Sequence, residues 1–247
     1  MLAVLSPAKN QRTAGPPGIP LTVPAFEQET RRLAAQLREL APFELESVLE
    51  VGPEIALRAF GYYQDFRWGA PGTAALLAYH GLAYQHLHAE DFTPEEFAFA
   101  QDHLRICSAL YGLLRPADAI LPYRLALQCR LRVDGQSLYA FWGDRICRAL
   151  FAGGETVVNL ASGEYGRTVT RFRRPGDRLI TCEFCVMRRG RRITLATGAK
   201  MARGEMARYI VKNRMEEPEA LQHFAWDGYA FVPALSNAER YVFLQSI

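Results

Sequence analysis

Thr156-Val157-Val158-Asn159-Leu160-Ala161-Ser162-Gly163 is a β-branched run stopped by three small residues, a pattern that predicts a central, fully buried strand. The opening Met1 to Leu5 is a second short apolar run. Ser6-Pro7 ends it, so it reads as a buried strand that delivers a loop carrying Lys9. Arg178 to Met187 and Arg191 to Thr197 flank a turn at Arg189-Gly190 and read as a hairpin, while Gly228 to Val232 and Arg240 to Leu244 read as closing strands. Between these lie helical patterns. Leu33, Leu37 and Leu40 mark an amphipathic helix from Phe26 to Leu40, and Glu44 to Leu49 and Pro53 to Tyr63 give two more, broken at Val51-Gly52. Thr93-Pro94-Glu95-Glu96 is a capping-box start for a helix to about Arg105. Leu138 to Phe151 has helical spacing, Cys107 to Leu114 is an apolar stretch, and Gly204 falls early in a helix running to Arg214. Strands and helices mixed without a regular βαβ period predict an α+β fold, a mixed sheet flanked by helices in a single compact domain over residues 1–247.

With 49% hydrophobic residues, the chain can bury one substantial core. No segment approaches the roughly 18 apolar residues of a membrane span, and Leu2 to Leu5 is too short for the core of a secretion signal. Five cysteines, an odd number, do not make a secreted disulfide framework, so a cytoplasmic protein with reduced thiols and no membrane partner is expected.

Lysine is nearly absent: 3 lysines stand among 29 basic residues. Two of them sit in short loop-like segments, Ser6-Pro7-Ala8-Lys9 and Ala199-Lys200-Met201-Ala202-Arg203-Gly204. Where arginine serves as the ordinary surface cation, a retained lysine points to work that needs a compact ammonium with a movable pKa. The charge is also segregated. Arg167 to Arg214 holds 14 basic and 3 acidic residues, a balance of +11, against −8 for the rest of the chain. Such a face attracts polyanions.

Lys200 and Arg203 share a helix face near amides that lack intrahelical partners, which is an anion-binding arrangement. Arg208 and Lys212 extend the stripe. Val51-Gly52-Pro53-Glu54-Ile55-Ala56 resembles the turn of a helix-hairpin-helix, which presents amides to a DNA phosphate, although the first of the usual two glycines is missing. Cys182-Glu183-Phe184-Cys185 has the spacing of half a zinc knuckle but no second pair, and residues three apart on a strand face opposite sides. No metal site and no cofactor is expected, and no G-x-S-x-G, G-x-x-x-x-G-K or G-x-G-x-x-G string occurs.

Five collinear blocks together resemble the YaaA family of bacterial peroxide-stress proteins. They are Ser6-Pro7-Ala8-Lys9; Leu110-Tyr111-Gly112-Leu113-Leu114-Arg115-Pro116 with Pro122-Tyr123-Arg124; Phe141-Trp142-Gly143-Asp144; Asn159-Leu160-Ala161-Ser162 with Glu164-Tyr165; and Ala199-Lys200 with Ala202-Arg203-Gly204. Where the family pattern has Lys-Gly-Asp this chain has His80-Gly81-Leu82, and the usual Thr after the first lysine is Asn10. The resemblance implies a cytosolic protein of unusual topology, induced under peroxide stress, that binds DNA through a basic cleft and a helix-hairpin-helix-like element near residues 44–63.

Two functions follow as expectations. In the first, Lys9, Arg115, Arg124, Lys200, Arg203 and Arg208 supply cations and Gly52 the hairpin amides to a DNA phosphate backbone, with little sequence specificity. In the second, Ser6, Lys9, Asn159, Ser162, Glu164, Tyr165, Lys200 and Arg203 line the pocket of an enzyme whose reaction is unknown, with a lysine as nucleophile or base. Both require the amines of Lys9 and Lys200 to share one cleft.

Overall fold

Leu2–Leu5 is buried at every position and pairs in parallel on both sides, with Leu104–Ser108 on one and Val157–Asn159 on the other. A four-residue run of Leu, Ala, Val and Leu has no polar face to give to solvent, which is the signature of a strand covered on both faces. In this computed structural model, which describes residues 1–245, it is an interior strand of a nine-stranded sheet, third from one edge. From one edge the main path runs Ala225–Trp226, Tyr229–Phe231, Arg240–Gln245, Leu179–Arg188, Val157–Asn159, Leu2–Leu5, Leu104–Ser108, Gly112–Leu114. Arg191–Ile193 adds to Leu179–Arg188 as an antiparallel hairpin partner. The five middle strands are parallel and the outer pairings antiparallel, so the α+β mixed sheet is as the sequence predicts.

The order of crossing matters more than the strand count. After Leu2–Leu5 the chain adds Leu104–Ser108 on one side, then returns to add Val157–Asn159 on the opposite side. The connections leaving Leu5 and Asn159 therefore diverge, and a crevice opens between the carboxyl ends of these two strands. The first excursion holds most of the helices, among them Glu27–Arg38, Pro42–Leu49, Pro53–Asp65, Leu82–Leu87 and Pro94–His103. One hydrophobic core joins the sheet to these helices, from Leu2 to Phe243.

Several element boundaries shift from the sequence reading for identifiable reasons. The capped helix begins as expected, with Thr93 N–H donating to Glu96 at 2.9 Å and Glu96 N–H donating back at 3.2 Å, but it ends at His103. Leu104 is claimed by the strand Leu2–Leu5, a tertiary pairing that overrides local helix propensity. The apolar stretch after Ile106 is a strand pair closed by Ala109–Tyr111. Gly112 has φ +74° there, and an added Cβ would lie 2.6 Å from the Trp142 ring, so only glycine fits. Leu138 to Phe151 splits into Leu138–Trp142 and Arg145–Leu150 at Gly143. The last long helix starts at Ala196, earlier than expected, and takes Thr197 from the hairpin. No helix among the described residues is long and apolar enough to cross a membrane.

Candidate functional site

Ser6 follows the strand Leu2–Leu5 and Ser162 follows its neighbour, and the two meet across the crevice. Ser162 N–H donates to Ser6 Oγ at 2.8 Å, and the hydroxyls are 3.1 Å apart. Tyr84 OH donates to the Ser6 carbonyl at 2.7 Å, which anchors the loop from the other side. Asn159 is turned back onto its own strand: its Oδ1 accepts from Ala161 N–H at 3.0 Å and its Nδ2 faces Thr181 Oγ1 at 3.4 Å. A Cβ at Gly166 would lie 3.1 Å from Asn159 Nδ2, so glycine lets the Gly163–Thr170 helix pack this close to the strand end.

A cavity of about 360 Å³ opens at this point. That volume is in the range of small-molecule sites, and its position outside the carboxyl ends of diverging parallel strands is where ligands bind in parallel α/β sheets. Lys9, Arg124, Lys200 and Arg203 supply its cations, Glu50 and Glu164 its carboxylates, and Ser6, Ser162 and Tyr165 its hydroxyls. Leu49, Val51, Leu82, Leu125 and Leu160 form an apolar wall. Lys9 and Lys200, nearly 200 positions apart in sequence, are both among the residues that line this cavity.

The electrostatics of this lining are uneven. Among the described residues, neither Lys9 nor Lys200 has a carboxylate partner, whereas Lys212 on the same helix as Lys200 is bound to Glu96 at 2.7 Å and Asp91 at 3.3 Å. Arg203 is half-buried, its Nε is buried without a partner, and burial pushes its pKa down. A buried guanidinium edge left unmatched by the protein is stabilised when an anion arrives. Arg124 is held in place by Nη1 donating to the Lys9 carbonyl at 3.2 Å and by Tyr63 OH donating to its own carbonyl at 2.5 Å. The first turn of the Gly163–Thr170 helix also lines the cavity, and Ser162 at its cap spends its hydroxyl on Ser6 rather than on the helix amides. Those amides add to the positive potential. Burial raises the Tyr165 pKa, so its hydroxyl stays a proton donor at physiological pH.

Not every residue singled out in the sequence joins this cavity. Arg115 is bound to the buried Asp118 at 3.1 Å, and Arg208 grips Asp91 at 2.6 and 2.8 Å while donating to the His88 carbonyl. Gly52 lies beside a neighbouring depression with Phe43, Glu46 and Arg130, which shares Glu50 and Val51 with the cavity. The helices Pro42–Leu49 and Pro53–Asp65 flank the turn at Val51-Gly52, where Gly52 is extended at φ −75° and Pro53 has no N–H to offer. Glu44, Glu46, Glu50 and Glu54 surround the turn, a poor setting for a phosphate. Conversely, His80, Tyr84 and Glu50 reach the cavity and carried no signal of their own beyond His80 standing at a departure from the family string.

Thiol chemistry is disfavoured. All five cysteines are free, and burial pushes every thiol up, Cys107 and Cys182 to about 12 and Cys147 to about 11. The thiolate is the nucleophile toward peroxide, so these side chains are slow to react. Among the described residues no three His, Cys, Asp or Glu side chains gather as a metal site.

Comparison with known proteins agrees with the motif blocks. The family model described as "Peroxide stress protein YaaA" matches residues 1–235. The UPF0246 protein of Acaryochloris marina is 41% identical over 253 residues, covering all of both chains. A UPF0246 protein of Bacteroides fragilis is 41% identical over 98% of each chain, and one of Clostridioides difficile 35% identical over 99% of this chain and all of its own. Family model and relatives span the blocks that build the cavity, from Ser6 to Arg203, and the chain belongs to the YaaA family of peroxide stress proteins.

Proposed function

We propose that this chain serves in peroxide stress by binding DNA through its phosphates, with one phosphate seated among Lys9, Lys200 and Arg203 and the strand led out past Arg124. The reading is carried by four cations, Lys9, Arg124, Lys200 and Arg203, that line one cavity and, among the described residues, form no ion pair with a carboxylate, although Glu50 and Glu164 share the lining. Contacts from lysine and arginine to phosphate carry no sequence information, so in this reading affinity comes from the backbone and depends on salt. The acidic hairpin turn shapes one wall and does not grip phosphate in this reading. Fluorescence anisotropy of labelled duplex and four-way-junction DNA across a salt series tests it. A slope of log affinity against log salt steeper than about −2 is expected, the value for two or more phosphates neutralised. A shallower slope, or no binding, contradicts it.

The enclosure of the cavity and its apolar wall favour a second reading, an enzyme acting on a small anionic substrate with Tyr165 as a proton donor and a lysine amine as nucleophile or base. Lys9→Arg and Lys200→Arg separate the two. A phosphate contact survives the exchange in large part, while chemistry at an amine does not.

A further inference from the structure

The strand Leu179–Arg188 is paired with Arg240–Gln245 from Thr181 to Val186, and its last two residues, Met187 and Arg188, pair only with the hairpin strand Arg191–Ile193. Its first three residues pair with Val157–Asn159, and Thr181 already lies level with Asn159. The seven steps from Thr181 to Arg188 then carry it about 23 Å beyond the end of that neighbour, at ~3.3 Å per residue. Because these strands are parallel, the extension leaves from the same edge of the sheet on which the cavity opens. Arg191–Ile193 folds back on it through Arg189-Gly190, both with positive φ at +51° and +71°, a tight two-residue hairpin turn.

The tip is built from Arg188, Arg189 and Arg191. All three are exposed, and among the described residues none has an ion-pair or hydrogen-bond partner. Arg192 alone in this run reaches a carboxylate, Glu183 at 3.7 Å. Arg188 and Arg191 are direct cross-strand partners, a like-charge pairing that works against the hairpin. An arginine also occupies the left-handed position at 189 where Asn or Gly is the usual choice.

We infer that the Arg188–Arg191 hairpin is a nucleic-acid-binding arm, a two-stranded ribbon whose three arginines contact backbone phosphates of duplex DNA held at the neighbouring cavity. A ribbon of this width fits the major groove of B-form DNA, and guanidinium groups suit phosphate oxygens. The arm stands on different residues from the cavity, but it rests on the reading that the chain binds DNA.

The test is a triple substitution, Arg188→Gln/Arg189→Gln/Arg191→Gln, in the full chain, with circular dichroism to verify the fold. Anisotropy with a duplex of about two helical turns is measured across salt for parent and variant, alongside a 5′-phosphorylated trinucleotide too short to span cavity and tip. The arm predicts a salt slope shallower by about 2 to 3 for the variant on duplex, from ~0.9 per phosphate contact, and at least a tenfold loss of affinity at low salt. Trinucleotide binding stays unchanged. Parent and variant isotherms that coincide on duplex would overturn the arm while leaving DNA binding intact. No duplex binding by the parent would overturn the DNA reading and the arm together. Binding of the parent to phosphatidylserine vesicles that the substitution abolishes, with DNA isotherms unchanged, would also overturn it and assign the arginines to a lipid surface.

Discussion

Ser162 N–H donates to Ser6 Oγ at 2.8 Å across 156 positions of sequence, tying the loops that leave two adjacent parallel strands into one rim of the cavity. The bond fixes where Lys9 begins its loop and where the Gly163–Thr170 helix begins. Ser6→Ala removes the acceptor and leaves a partly buried amide unsatisfied, so a loss of about 1–3 kcal/mol is expected in urea unfolding. Ser162→Ala keeps the amide bond and should lose less. Equal losses for the two would show that the hydroxyl pair, not the amide, holds the rim.

Gly204 sets the distance between the helix that carries Lys200 and Arg203 and the short helix Leu82–Leu87. An added Cβ would lie 2.0 Å from the Ala83 carbonyl oxygen and 3.0 Å from His86 Cβ. Backbone cannot move aside as a side chain can, so Gly204→Ala should lower stability by about 1–3 kcal/mol or more and weaken anion binding with it. A melting temperature within a degree of the parent would mean that the helices separate freely.

Cysteine reactivity checks the burial of the thiols. With thiols pushed up by burial, alkylation by iodoacetamide at pH 8 should be slow for Cys107 and Cys182 in the folded protein and rapid for all five in urea. Fast labelling of a single cysteine before unfolding, read by mass spectrometry, would reopen a redox role.

Much of this architecture is legible in the sequence, and the parts that are not have physical causes. Leu2–Leu5 and Val157–Asn159 declare themselves because strands covered on both faces must be apolar throughout. Their parallel pairing does not, because the chain between Leu5 and Leu104 wanders through short helices that hide any βαβ period. Lys9, Lys200 and Arg203 stand out through the scarcity of lysine and the helix-face spacing. Arg115 and Arg208 look equivalent on paper, and only their partners, Asp118 and Asp91, reveal that the fold already uses them. His80 reaches the cavity through the pairing of Asn10 with His80, a contact between two-residue strands that no local pattern announces.

The cluster of Asp91, Glu96, Arg208 and Lys212 predicts an acid response. Hydrogen bonds from Arg208 hold the Asp91 carboxyl well below the usual carboxylate range, and Lys212 lowers Glu96. Depressed folded-state pKa values mean stability that is present above the unfolded pKa, near pH 4, and lost as pH falls through the folded values. Both carboxylates are reached by solvent, so the net effect should stay below about 1 kcal/mol. Asp91→Asn should therefore be slightly less stable than the parent at pH 7, and the gap should narrow steadily as pH falls below about 4. A gap that widens toward low pH would contradict the assignment.

The cations that the fold leaves free can be set directly against those it uses. Fluorescence anisotropy of one labelled duplex at a single low salt concentration, run with Lys9→Ala, Lys200→Ala, Arg203→Ala, Arg115→Ala and Arg208→Ala, measures both groups at once. Losses of about tenfold or more are expected for each of the first three, equivalent to ~1.4 kcal/mol, and changes within about twofold for the last two. Uniform small losses across all five, or larger losses at Arg115 and Arg208, would contradict a cavity-centred phosphate site.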